Sequence, residues 1–195
     1  MSSLSSEERF KNNLNTLVDI TIDMFEEAKD NGIVSGNYQL LNLLKILVNK
    51  SSGERIIGNF VRKTHPYWNK ILDKDLNYFK VVGLELFDIA KTKGVDSFED
   101  AKGFSLLDQL KGQHIDDFKT ILEADYKDEN GDEVSVLDDE RKEDIWMILH
   151  SFVKISIVYI HEKRERVEGK YTKSFFPEIK IKENVEKWKI KSIKY

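Results

Sequence analysis

The sequence predicts an all-α single domain, a bundle of about seven or eight helices around a long buried central helix. Three observations carry that prediction. Apolar residues recur at helical spacing through most of the chain. Only 2 prolines and 10 glycines interrupt the 195 residues. Strand-like and helix-like segments do not alternate, so a dinucleotide-binding sheet or an α/β barrel has no support. The length suits one domain and can bury a core without disulfides.

Ser5 and Glu8 fit a capping box that opens the first helix. Phe10, Leu14, Leu17, Val18, Thr21, Met24, Phe25 and Ala28 follow at helical spacing, and Asn31-Gly32 supplies a left-handed stop. Residues 38–48 form a second helix, apolar nearly all round, which predicts burial on several sides. Ser51 and Glu54 read as another capping box, opening a short helix with Ile56, Ile57, Phe60 and Val61. The residue before a proline avoids the helical region, so His65-Pro66 closes that helix. Pro66 suits the first turn of the next, which carries Tyr67, Trp68, Ile71 and Leu72. Further helices are expected from Leu76 to about Gly94, from Ser97 through Leu110, and over residues 115–124.

An acidic stretch, residues 125–133, turns at Asn130-Gly131. The longest helix is expected to start near Ser135 or Leu137 and to run to about Val167. Its two apolar stripes are Ile145, Leu149, Phe152, Ser156, Tyr159 and Trp146, Val153, Ile157, Ile160. They cover most of the circumference, so this helix should thread the core with both ends solvated. Asp138, Asp139 and Glu140 at its start, and Lys163, Arg164 and Arg166 near its end, complement the helix dipole. The expected core is Leu44, Leu47, Phe60, Trp68, Phe87, Trp146, Leu149, Phe152, Val153 and Ile157.

Composition excludes several functions. Without cysteine there is no disulfide scaffold, thiolate zinc site, iron–sulfur cluster or cysteine nucleophile. The net charge of −4 gives no global pull toward nucleic acid. That total hides an asymmetry. Residues 170–195 carry 8 lysines, no arginine and 3 acidic residues, about +5, against about −9 for the rest. The chain therefore divides into a helical domain, residues 1–169, and a basic C-terminal arm, residues 170–195. Aromatics interleave with the lysines, so the arm could meet nucleic acid, an acidic partner or anionic lipid. The plainer reading is an amphipathic element that docks Val185, Trp188 and Ile193 on the body. The absence of arginine, the residue suited to bidentate phosphate recognition, favours docking.

Chemical motifs are sparse. Aligning Gly131 with the glycine of a calcium loop puts Asp128 and Asn130 at ligand positions. It also puts Tyr126 and Leu137 where carboxylates are needed, so an acidic turn or small hairpin is expected instead. His150 and His161 share a face of one helix but stand about 16 Å apart, too far for one metal. His114 and Asp117 lie one turn apart with no third ligand. The carboxylate pairs Asp116-Asp117, Asp138-Asp139 and Glu143-Asp144 are adjacent in sequence and diverge on a helix. No phosphate loop, nucleophile elbow or kinase signature appears. No catalytic residue, cofactor or metal ligand is assigned. The N-terminus lacks the basic and apolar regions of a signal peptide. The most apolar run, Ile145 to Ile160, is 16 residues and holds His150 and Lys154, which is short for a membrane span. A cytoplasmic protein without a membrane span is expected. The first candidates for partner binding are His65 and Trp68, and Lys187, Trp188, Lys189 and Lys191 of the arm.

Residues 59–71, Asn-Phe-Val-Arg-Lys-Thr-His-Pro-Tyr-Trp-Asn-Lys-Ile, with Asp73-Lys74-Asp75-Leu76-Asn77-Tyr78-Phe79, resemble a segment of uncharacterised helical proteins of large nucleocytoplasmic DNA viruses. Asp144-Ile145-Trp146 and the stretch from Val153 to Glu162 resemble the same proteins. The resemblance covers under a quarter of the chain and carries over no catalytic residues. It implies a protein made in infected cells, in the host cytoplasm or the virion, with a structural or host-interacting role. The leading expectation is a non-enzymatic helical interaction protein with a protein partner. The alternative is a nucleic-acid-binding factor, or a small enzyme, that uses the lysine arm.

Overall fold

The computed structural model describes residues 4–35, 39–78, 113–166 and 181–187. In order, the elements are α1 (Ser6–Asp30), α2 (Gln39–Lys50), α3 (Gly53–Thr64), a 3-10 turn (His65–Tyr67) and α4 (Trp68–Leu72). There follow α5 (Gln113–Glu123), β1 (Asp125–Lys127), β2 (Glu133–Ser135), α6 (Asp139–Arg166) and α7 (Ile181–Lys187). The fold is the all-α bundle that the helical spacing predicts, with one small hairpin added. The helices expected between Phe79 and Leu110, with core position Phe87, lie outside the described residues.

The first helix starts and stops where its local signals say. Ser5 accepts from the Glu8 amide while the Glu8 carboxylate accepts from the Ser5 amide at 2.8 Å, completing the capping box. The hydrogen bonds from Ser5 hold the Glu8 carboxyl below its ordinary range. At the other end Asn31 caps, and Gly32 takes a φ of +69° that suits a residue without Cβ. The second capping box is displaced. Ser52, not Ser51, caps α3 by accepting from the Arg55 amide, because the Ser51 amide still closes α2 through the Leu47 carbonyl at 2.9 Å.

The long helix α6 runs antiparallel to two partners. Against α1, three contacts step along both helices in opposite order. Ser6 Oγ donates to Glu162 at 3.3 Å, Asn13 Nδ2 donates to Ser151 Oγ at 2.7 Å, and Arg141 meets Glu27 at 2.5 Å. Against the α3–α4 segment the order is likewise reversed. Lys163 faces Glu54 at 3.5 Å, His150 Nε2 donates to the Ile71 carbonyl at 2.9 Å, and Lys74 pairs with Glu143. Between these layers α6 is buried on nearly every side from Phe152 to Ile160, with Lys154 the exposed exception. That is the central helix the two stripes predict.

Two apolar clusters share α1. The larger joins Phe10 to Ile57, Val61, Trp68 and Ile71, and to Phe152, Val153, Ile157 and Tyr159 of α6. At its centre Phe10 stacks on Phe152 at 4.4 Å, and Phe60 contacts both rings at 5.3 and 5.5 Å. Such aromatic pairs add about 0.5–1.5 kcal/mol beyond area burial. The smaller cluster joins Met24, Phe25 and Ala28 to Val34, Ile121 and Val136. It is pinned by a polar clamp. Tyr126 Oη donates to Glu27 at 2.9 Å, while Arg141 reaches both Glu27 and the Val136 carbonyl at 2.5 Å. The bond to Glu27 favours the charged Arg141 and the protonated Tyr126, and pushes both of their pKa values up.

Among the expected core positions, Trp68, Phe152, Val153 and Ile157 are buried. Phe60 and Leu149 are half-buried against the larger cluster, and Leu44 and Trp146 are half-buried. Leu47 corrects the expectation, for it is 38% exposed. Its helix, α2, packs mainly on α1, and Leu43, Ile46 and Leu47 on its far side stay exposed.

Among the described residues one helix, the Asp139–Lys163 part of α6, is long and apolar enough to cross a membrane by length and composition. It is longer than its 16-residue apolar run suggests. It is also the core helix of the bundle, and 44% of its most apolar window is buried inside the fold.

Candidate functional site

His65 and Trp68 come together as their spacing predicts, because the 3-10 turn places them one turn apart. Their rings meet edge to face at 6.4 Å. Pro66 sits in the first turn of that 3-10 element, where a missing N–H costs nothing. Trp68 is buried to 4% exposure, and its indole N–H donates to Thr64 Oγ1 at 3.1 Å. The Thr64 hydroxyl in turn donates to the Phe60 carbonyl at 2.8 Å. Trp68 thus anchors α4 in the larger cluster. His65 Nδ1 is buried with no hydrogen-bond partner.

The arm is described over α7 alone. Val185 is buried in the larger cluster at 7% exposure, and Lys187 Nζ donates to Asn69 Oδ1 of α4 at 2.9 Å. Lys187 and Trp68 therefore lie at the same part of the bundle, joined through α4. Trp188, Lys189 and Lys191 lie outside the described residues.

The acidic stretch is a hairpin. Tyr126 pairs with Val134 in an antiparallel ladder, and Gly131 takes a φ of +86° in the loop. Asp128 is consumed by its own turn. Its Oδ1 accepts from the Asn130 and Asp132 amides, both at 2.9 Å. These amide bonds hold the Asp128 carboxyl below its ordinary range. Among the described residues, no three histidines, aspartates or glutamates converge to hold a metal ion.

The feature that sequence reading missed lies on α2. Leu43, Ile46 and Leu47 are 46%, 48% and 38% exposed. They fall at the i, i+3 and i+4 spacing that makes one helix face. The opposite side is engaged: Val48 is buried, and Leu41 packs on the smaller cluster. Polar contacts fasten the helix to α1. Lys45 pairs with Asp19 at 2.6 Å, Asn15 donates to Asn49 at 2.9 Å, and Lys11 reaches the Asn49 carbonyl at 3.4 Å. The result is a fixed helix with an apolar stripe outward, edged by exposed Asn42, Asn49 and Lys50. One signal could have found it. A helix apolar all round has more apolar surface than a single neighbouring helix can cover.

Comparison with protein-family models, with curated proteins and with solved structures finds no match to this chain.

Proposed function

We propose that this chain is a non-enzymatic helical interaction protein whose protein partner docks on the outward face of α2. The observation that carries the reading is the Leu43, Ile46 and Leu47 stripe on a helix fastened to the body from its other side. A rigid apolar stripe inside a polar rim has the composition of a protein-binding surface. Anchors at this spacing suit an amphipathic partner helix. The resemblance to helical proteins of large DNA viruses supports a structural or accessory, host-interacting role in infected cells. The lysine arm draws less support as a nucleic-acid site. Val185 and Lys187 are occupied by contacts with the body.

The test is affinity purification with mass spectrometry from the native source, comparing the wild type with Leu43→Glu/Leu47→Glu. These side chains are exposed, and surface changes usually alter stability by under about 0.5 kcal/mol. Circular dichroism should therefore be unchanged while one partner is lost. Identical partner sets for both proteins, or a monodisperse monomer in each case with no partner, would remove the reading.

A further inference from the structure

The helix α7 is 7 residues long, and a helix that short does not persist alone in water. It exists because it docks. It packs on α6, and its C-terminal end reaches α4 through the 2.9 Å bond from Lys187 Nζ to Asn69 Oδ1. Val185 is buried in the larger cluster, which also holds Trp68 and Ile71 of α4 and Val153 and Ile157 of α6. Glu183, Glu186 and Lys187 are exposed. Among the described side chains of α7, a single aliphatic anchor is therefore buried. The Lys187 bond lies at the surface, where water competes for both of its partners.

The walls of the slot that receives Val185 are fastened without α7. The Trp68 indole N–H donates to Thr64, and His150 Nε2 donates to the Ile71 carbonyl at 2.9 Å. Lys74 pairs with Glu143 across the same α4–α6 contact. Asn13 holds α6 to α1 through Ser151 at 2.7 Å. Departure of α7 breaks none of these bonds, so the slot outlasts its occupant.

We propose that α7 is a displaceable strap, and that the slot between α4 and α6 takes in its place an amphipathic helix of a partner protein. That helix carries the pattern of α7 itself, a branched aliphatic anchor and a lysine two residues later. The anchor enters the cluster, and the ammonium reaches the Asn69 side-chain oxygen. A segment that folds only on docking opens locally while the bundle stays closed. The competing helix binds only the open fraction, so the strap lowers its apparent affinity by that fraction. The arm of a second copy is a poorer occupant, because every arm is tethered beside its own slot. The slot lies on α4 and α6, so this proposal and the α2 face stand or fall separately.

The test combines native-state hydrogen exchange of the full chain with titration by a synthetic peptide of residues 178–195. The α7 amides should exchange at urea concentrations that leave Phe152 to Ile160 protected. Val185→Asp should lower protection of α7 about tenfold or more and leave α6 unchanged. The peptide should bind that variant saturably, shifting the Asn69 and Ile71 amides, and should bind the wild type about tenfold more weakly, since the strap competes. A peptide that itself carries Val185→Asp should not bind. Exchange of α7 and α6 in one step overturns the proposal. So does a lack of saturable binding to the Val185→Asp chain, or equal affinity for both chains. If Val185→Asp does not fold, Lys187→Ala should speed exchange in α7 alone, and unchanged exchange there is equally fatal. Wild-type dimers that Val185→Asp abolishes would put a second copy's arm in the slot and overturn the assignment to a partner.

Discussion

Ser156 illustrates how a single residue can work against the core that holds it. It is fully buried on α6, and its hydroxyl has no partner. A buried unsatisfied hydroxyl costs more than its absence, so Ser156→Ala should stabilise the fold by about 1 kcal/mol. Urea denaturation measures this directly, and a loss of stability would show that Oγ is satisfied. His150 makes a second prediction at this scale. Burial lowers its pKa, and Lys154 and Lys74 add to that, while the Ile71 carbonyl and Glu143 oppose it. The unfolded chain therefore takes up the proton first. This contribution to stability is present above the ordinary value of about 6.5 and is lost as pH falls below it. His150→Gln keeps an N–H for Ile71 and does not titrate. Its urea midpoint should fall less than the wild type's between about pH 7.5 and about pH 5.5. The histidine was visible in the sequence, but its acceptor lies 79 residues away and nothing local announces it.

Elements were legible wherever their determinants are local. The Ser5–Glu8 box and the Asn31-Gly32 stop lie within one turn of the helix ends they set, and both are where the spacing predicts. The cap of α3 moved by one residue because Ser51 has a prior commitment to α2, a fact of backbone bonding that side-chain type does not reveal. The faces of α2 were illegible for a different reason. Composition shows that a helix is apolar all round, but neighbours decide which faces are covered. Leu47 was expected inside and stands at the surface for that reason. The α1–α3 junction likewise depends on residues 46 positions apart, and Gly53 alone hints at a close approach, for a Cβ there would stand 2.4 Å from Glu7 Cβ. Gly53→Ala should force the two helix starts apart, at a cost of about 1–3 kcal/mol typical of overpacking. Thermal denaturation of that variant checks it, and an unchanged melting temperature would show that Glu7 can give way.

At the scale of the whole molecule, α6 organises the bundle because it is apolar on most sides and meets both α1 and the α3–α4 segment in antiparallel register. Among the described residues, the apolar stripe along α2 stays exposed after that packing. The charge asymmetry between residues 1–169 and 170–195 is a property of the sequence alone, whereas the exposed stripe emerges only when distant segments meet. The stripe carries the functional account, and a photo-crosslinking amino acid placed at Ile46 tests it most directly. Glu129, exposed in the hairpin loop, provides the control position. In the native source the probe at 46 should capture one defined protein that the probe at 129 does not. Capture of the same proteins from both positions, or of none from position 46, would contradict the account.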